Sequence, residues 1–421
     1  VLTKFTGLEY LKIDIASNFG LDKEDWDIRL DWFEQNKNQL HSLVPKAETP
    51  ALFYAGILAW EKAVVGEASG YPINLDATCS GIQILAALAC DRKAAELCNV
   101  VDTGHREDAY TAIYDRMVAT TGSNQMMADY PLLQKKEGAA FIPVKRQIDR
   151  KLVKSAIMTA FYGSTAQPKK IFGDGDLLNL FYKVVEENAP GAWEINQAML
   201  KIWDPDATIH EWVLPDNFHV KVKVMGQIVD VVDYLDELYE VVYSENMPLK
   251  EGRSLGANMV HSLDGLIVRE MLRRCHYDPK RIAMLSTLAN VGCCGRSRKR
   301  EQDHMVVRLW DHYQKTKFLS ARILDYLDMD NMGLTNPLII KNLIDSLPKK
   351  SFEIITIHDC FRCLPNYGND LRQQYNNLLA EIAKSNLLSS IMSQMTGRTI
   401  MVNKLDPSMI QDIYDTNYAL S

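Results

Sequence analysis

Apolar residues recur at helical spacing through the first sixty positions. Trp26, Leu30, Phe33 and Leu40 share one side and acidic residues the other, which predicts helices over residues 1–60. The longest apolar run, Ala51 to Trp60, predicts a core helix. Tyr71-Pro72-Ile73-Asn74-Leu75-Asp76 then reads as a short strand, followed by Cys79-Ser80-Gly81 and a helix from Ile82 to about Ala89. Residues 94–120 are again helix-like. The polar stretch 121–149, with Gly122, Gly138 and Pro143, reads as a loop-rich connector. Arg150 to Ala160 predicts a helix that stops at Tyr162-Gly163-Ser164. Alternation over 209–230 around Pro215-Asp216-Asn217 predicts a hairpin, and an acidic segment follows at 232–246. Residues 275–350 hold a basic run from Arg296 to Arg300 and then helices broken at Pro337 and Pro348. Residues 353–365 predict strand–turn–strand with His358-Asp359 at the turn, and the remainder is mostly helical.

At 421 residues the chain has room for two or three subdomains around a sizeable core. Usage is 47% apolar and 24% charged, which excludes a disordered chain. A net charge of -7 excludes nucleic-acid binding by bulk electrostatics, so a polyanion needs a local basic patch or bound metal. No apolar run approaches the ~18–20 residues of a membrane span, and no signal pattern opens the chain. The eight cysteines are sparse for this length and read as free thiols in a reducing compartment.

Two aspartates stand out by position. Asp76 ends an apolar strand, and Asp359 sits at the tip of an apolar hairpin. Carboxylates there are poorly solvated unless they meet a cation. Each could simply cap a turn. Brought together by a sheet they would repel unless divalent ions bridge them, and oxygen ligands suit Mg2+. Arg150, Lys154 and Tyr162 are spaced four and eight apart, forming a stripe on one helical face. Two cations along it suit a triphosphate, with a phenol at the far end. A solvated basic face with one buried aromatic is the alternative. Cys293-Cys294 lacks zinc spacing, and Cys360-Phe361-Arg362-Cys363 reads as strand residues despite its redox-motif spacing.

Together these segments resemble the single-subunit RNA polymerases of phages and mitochondria. Asp76-Ala77-Thr78-Cys79-Ser80-Gly81-Ile82-Gln83 resembles that family's first palm motif. Arg150 to Lys154 and Met158 to Ser164 resemble its fingers-helix motif, and Ile357-His358-Asp359-Cys360-Phe361 its second palm motif. Weaker similarities lie at Leu11 to Lys23, Asn258 to Gly265 and Asp412 to Ala419. The resemblance implies a helix-rich mixed α/β right-hand fold, with residues 1–92 as the first part of the palm, 93–261 as fingers, and 262–421 as the second part of the palm with an insertion at about 275–350. It implies DNA-templated RNA synthesis with two Mg2+ ions held by Asp76, Ala77 and Asp359. Arg150 and Lys154 would hold the triphosphate, with Lys12 as a weaker candidate. Tyr162 would favour ribonucleotides, with Gly81 leaving room for the ribose hydroxyl. Gly163 and Ser164 would contact the template side, His261 the minor groove, and His358 would support Asp359. Ile84 replaces the family's usual His after Gln83. Partners so implied are a DNA template, ribonucleoside triphosphates and the RNA product, in the cytoplasm of an infected bacterial host.

The departures carry expectations too. Only 75 residues precede Asp76, without the Asp-x-x-Gly-Arg-like element that single-chain relatives carry upstream of the first palm motif; a truncated chain would explain this, and thumb and N-terminal domain on a second chain explain it better. The resemblance then extends to the larger, catalytic chain of a split, two-chain phage RNA polymerase of enquatrovirus type. The hairpin after Trp212 looks short, and Asp230, Asp233, Asp236, Glu237 and Glu240 downstream would repel phosphates. A single-stranded-DNA or promoter-opening factor is therefore expected. The basic run Arg296, Arg298, Lys299 and Arg300 reads either as a phosphate or partner contact or as a solvated loop. A related DNA polymerase or primase, and a non-catalytic DNA-binding palm, are the alternative readings.

Overall fold

The computed structural model describes residues 1–122, 125–292 and 300–421. Among the described residues helices dominate, and the strands fall into one three-stranded sheet and three two-stranded ribbons. The sheet is built from Ile73–Asp76, Cys360–Cys363 and Ile355–Ile357, with Cys360–Cys363 in the centre and antiparallel to both neighbours. Buried Ile73, Leu75, Phe361 and Cys363 join it to the main core. Helices Ser80–Ala89, Arg150–Phe161, Ser254–Cys275 and Gly368–Lys384 contribute to that core. The Ser80–Ala89 helix is buried almost throughout, as expected of a helix that is apolar on all sides.

Most predicted elements are present. The amino-terminal helices are Gly7–Ala16, Trp26–Asn36 and Pro50–Val64, and the last two enclose a separate cluster around Phe33, Phe53 and Ile57. Pro337 opens the helix Pro337–Asp345 rather than breaking one, because its missing N–H is no loss in a first turn. The loop-rich connector is a correction. Met126–Glu137 and Ala140–Ile148 form a long antiparallel ribbon, with Gly138 at φ +63° in the turn. Its outer residues face solvent on both sides, so polar composition there records exposure rather than lack of a strand. The acidic segment is likewise ordered, as the second strand of a ribbon, Met225–Tyr234 with Glu237–Asn246.

Residues 275–350 include a second core of their own, around Leu285, Leu309, Ile323 and Ile340. Arg296, Arg298 and Lys299 of the basic run, and Cys293-Cys294, lie outside the described residues. Arg300 is described, and it is spent on Asp303, Asp328 and Asp330 at 2.8–2.9 Å. The second core is tied to the main one by buried charge. Glu270, fully buried on the 254–275 helix, meets Arg273 at 2.9 Å and Arg274 at 3.1 Å, and accepts from the Ser320 hydroxyl and the Ala321 amide. Buried Asp216, at the tip of the hairpin Ile209–Val213 with His219–Lys223, meets Arg269 at 2.6 Å and Arg273 at 2.9 Å. Removing one partner leaves buried charge uncompensated. Glu270→Ala is therefore expected to cost about 3–5 kcal/mol in urea unfolding. A loss below roughly 1 kcal/mol, the scale of a surface pair, would contradict this account of the junction.

Candidate active site

Sheet register brings the two predicted aspartates together. Asp76 pairs with Cys360, and so does Ile357 on the other side. Asp359, one residue before Cys360, therefore lies beside Asp76 at the same end of the sheet. The Ala77 amide donates to the Asp359 carbonyl at 3.1 Å. His358 makes the tight turn with φ +56° and points its ring into solvent rather than the cleft. On the outer side, Asp76 and Ser421 exchange backbone hydrogen bonds at 3.2 and 2.9 Å, and the Thr78 amide donates to the Ala419 carbonyl. Fully buried Gln83 fastens this arrangement. Its amide nitrogen donates to the Thr78 hydroxyl and to the Cys98 and Ala419 carbonyls, each at 3.0 Å, and its oxygen accepts from the Tyr375 hydroxyl at 2.7 Å. Ile84 is buried and does not line the cleft.

A cleft of about 460 Å3 opens on the pair, walled by Ala77, Gly81, Arg106, Tyr110, Lys154 and Tyr162 among others. Solvent reaches the Asp76 carboxylate, but the concave walls thin its hydration. Burial first, then the charge of Asp359, then that of Asp22, push Asp76 up to about 6, against Arg106 and Lys154. Asp264 is pushed up to about 7 by burial and then by Asp359, partly offset by a hydrogen bond from Ser80. An acidic centre so poorly hydrated suits a divalent cation. Among the described residues no group of three or more His, Cys, Asp and Glu side chains forms a metal cage. Two carboxylates open to a polar cleft fit Mg2+, which takes one or two and fills its other positions with phosphate and water.

The cations come from the helix Arg150–Phe161. Asp149 caps it by accepting from the Leu152 amide at 2.9 Å, and its apolar side buries Val153, Ala156, Ile157 and Ala160. That leaves Arg150, Lys154, Met158 and Tyr162 facing the cleft. Lys154 stands 5.2 Å above the Tyr110 ring. Arg150 is held in an ion pair by Asp108 and donates to the Thr111 hydroxyl at 2.7 Å. Asp108 also caps the helix Ala109–Thr121, so one carboxylate sets both the helix start and the Arg150 position. The helix ends at Tyr162 because Gly163 turns with φ +83°, where a Cβ would stand 2.7 Å from the Arg253 carbonyl. Ser164 donates its amide to the Thr159 carbonyl in the same turn.

At Gly81 a Cβ would come within 3.0 Å of the Tyr162 hydroxyl. The bare backbone is what admits the phenol. Burial, then the charge of Asp264, push Tyr162 up to about 12, so its hydroxyl keeps its proton and can donate. The His261 ring packs against Tyr162 at 5.1 Å, outside the cleft wall. Lys12 is not brought to the site. It pairs with Glu34 at 2.6 Å, while Asp14, two residues on, turns inward and accepts from the Asn74 amide at 2.8 Å. Sequence reasoning missed Arg106, Asp108, Tyr110, Asp14 and Asp264 as members of this surround. Asp108 carried a local signal as a helix-capping aspartate, and Asp264 lay within the Asn258–Gly265 segment.

Comparison with known proteins bears on the same residues. Residues 3–170 match the DNA-dependent RNA polymerase family. That segment contains Asp76, Arg150, Lys154 and Tyr162. The chain is 25% identical over 311 residues to a DNA-directed RNA polymerase of Pseudomonas phage phiKMV, covering 61% of this chain and 37% of that protein. It is 30% identical over 178 residues to a probable DNA-directed RNA polymerase of Neurospora crassa, covering 38% and 18%. It is 28% identical over 174 residues to a mitochondrial DNA-directed RNA polymerase of Schizosaccharomyces pombe, covering 38% and 14%. The relatives matched are phage, fungal and mitochondrial DNA-directed RNA polymerases, and the chain spans well under half the length of each of these three. Asp359 lies beyond the matched segment, and sheet register is what joins it to the site.

The raised Asp76 has a stability consequence. Its folded value, about 6, lies above the ordinary 3.8, so its favourable contribution is complete below pH 4 and lost as pH rises through 6. In metal-free protein at pH 7, Asp76→Asn is expected to raise stability by about 1 kcal/mol, the full shift being discounted for solvent screening. The gain should vanish below pH 4. Denaturant unfolding at the two pH values checks this, and destabilisation at pH 7 would contradict it.

Proposed function

We propose that this chain carries the catalytic centre of a DNA-templated RNA polymerase. The observation that carries the reading is the meeting of Asp76 and Asp359 at one sheet end, beneath a helix presenting Lys154, Arg150 and Tyr162. In this reading residues 1–92 and 262–421 supply the palm and 93–261 the fingers. Mg2+ ions held by Asp76, the Ala77 carbonyl and Asp359 would supply an activated 3′-hydroxyl and charge neutralisation at the leaving group. The remaining work falls to the chain's own groups. Lys154 grips the triphosphate as a point charge, and Arg150 adds a planar fork once Asp108 releases it. Both are aimed at the pyrophosphate, where charge develops. Tyr162, protonated at neutral pH, offers its hydroxyl to the ribose, and Gly81 keeps the space beside it free of a side chain. Gly163 and Ser164 set the turn against which the template base would rest. His261 buttresses the Tyr162 ring, and His358 shapes the turn that presents Asp359. Lys12, ion-paired to Glu34, has no part in this reading.

A DNA template, ribonucleoside triphosphates and the RNA product are the partners the chemistry needs. Thumb and N-terminal functions fall to a second chain, as in a split, heterodimeric phage polymerase, and duplex opening to a further factor. Support for the further factor comes from the acidic character of the 225–246 ribbon, which carries no cation to approach a promoter phosphate.

The test uses the chain purified from its native cells with whatever accompanies it. A primed RNA–DNA hybrid is offered with Mg2+ and the next ribonucleotide or its deoxy analogue, beside single-stranded and linear duplex templates. Ribonucleotide addition is expected on the hybrid and single strand and not on the duplex. Asp359→Ala should abolish it with the fold retained. Tyr162→Phe should relax sugar discrimination on the order of tenfold, one hydrogen bond's worth. Hybrid binding without addition would make the chain a binding module. Unchanged discrimination in Tyr162→Phe would remove that residue's role, and equal activity on duplex would remove the opening factor.

A further inference from the structure

The ribbon Met225–Tyr234 with Glu237–Asn246 is exposed on both faces along nearly its whole length. At ~3.3 Å per residue, ten-residue strands reach about 33 Å. Its base is fastened to the neighbouring hairpin, where the Val224 amide donates to the Thr208 carbonyl and the Asn246 side chain to the same carbonyl at 2.7 Å. Beyond the base the register sets Val229 against Val242 and Val232 against Tyr239. One face thus carries Val232, Tyr239 and Tyr243, and the other Val229, Val231 and Leu238. Val231 is 58% exposed and Leu238 74%. A two-stranded ribbon is marginal in water by itself, and apolar surface of this extent marks a place where something binds.

The charge pattern decides what kind of occupant. From Met225 to Asn246 there are six carboxylates, at Asp230, Asp233, Asp236, Glu237, Glu240 and Glu245, and no Lys, Arg or His. Tyr243 and Tyr239 turn their hydroxyls onto Asp230 and Glu237 at 3.0 and 2.7 Å, which leaves both the rings and the carboxylates at the surface. Nucleic acid is repelled by such a surface. A second copy would set the same six carboxylates against themselves. The charge complement is a protein surface with an apolar centre and a rim of lysine and arginine, which would bury the valines and tyrosines while its cations meet the acidic rim.

We infer that the 225–246 ribbon is the docking arm for a separate, basic protein partner and not a nucleic-acid reader. The inference stands on the ribbon's own surface and does not depend on the polymerase reading. The experiment places a photo-crosslinking phenylalanine analogue at position 231 of the full chain, on the face that carries Asp233, Leu238, Glu240 and Val242, in its native cells. Adducts are identified by mass spectrometry, and the adducted protein is purified and titrated against the chain by fluorescence anisotropy. A protein adduct whose binding falls at least tenfold in Leu238→Ser/Val242→Ser, at least tenfold in Asp233→Asn/Glu240→Gln, and further with added salt is the expected result. These substitutions lie on exposed faces, and near-ultraviolet circular dichroism confirms that they leave the fold intact. An adduct to a DNA oligonucleotide, an adduct to a second copy, no adduct, or a partner whose binding ignores either pair of substitutions would each overturn the proposal. None of these outcomes alters primer extension on a hybrid, so failure here is separable from failure of the polymerase reading.

Discussion

Two carboxylates that repel each other are held side by side by the pairing of three short strands. The register that sets Asp76 opposite Cys360 leaves Asp359 no other place, and the main core locks that register through Ile73, Leu75 and Phe361. The surrounding structure answers this constraint. Lys154 and Arg106 bring positive charge across the cleft, and Gln83 gathers the turn after Asp76, the segment around Ala419 and the 368–384 helix into one buried node. The acidity left over, seen in the raised Asp76 and Asp264, is what a divalent cation would neutralise.

The Arg150–Phe161 helix supplies a second design element. Its cations are tied to cleft-wall groups, Arg150 to Asp108 and Lys154 above Tyr110, whose hydroxyl meets the Cys79 sulfur at 3.0 Å. An arginine held by a carboxylate is desolvated and aimed before a phosphate arrives, at the cost of breaking that pair when it does. Tyr162 sits where two glycines permit it. Gly163 ends the helix by a left-handed turn, and Gly81 clears the strand-to-helix corner opposite.

How much of this the sequence disclosed follows from what each signal depends on. Asp76 and Asp359 were legible because a carboxylate closing an apolar strand breaks a local pattern. The Arg150, Lys154, Tyr162 stripe was legible because helical periodicity is itself local. Arg106 and Tyr110 are brought in by tertiary packing, and nothing in their own neighbourhoods marks them, while Asp264 sat in the Asn258–Gly265 segment without being singled out. Lys12 misled for a geometric reason. It lies two residues from Asp14, so the two face nearly opposite sides of a helix, and it is Asp14 that turns toward the cleft. The 126–148 and 225–246 ribbons escaped because beyond their bases neither has a buried face. The alternation that identifies a strand comes from one-sided burial, and strands wet on both sides lack it.

The central claim is that Asp76 and Asp359 form one divalent-cation site that a nucleoside triphosphate completes. Mn2+ stands in for Mg2+ at oxygen sites, and its bound fraction is read directly by electron paramagnetic resonance. Titrations with and without a ribonucleoside triphosphate, for the wild type and for Asp76→Asn/Asp359→Asn, test the claim most directly. The account predicts tighter Mn2+ binding by the wild type when the triphosphate is present, and at least tenfold weaker binding by the double variant. Equal binding by the two proteins would show that the paired carboxylates are not the metal centre.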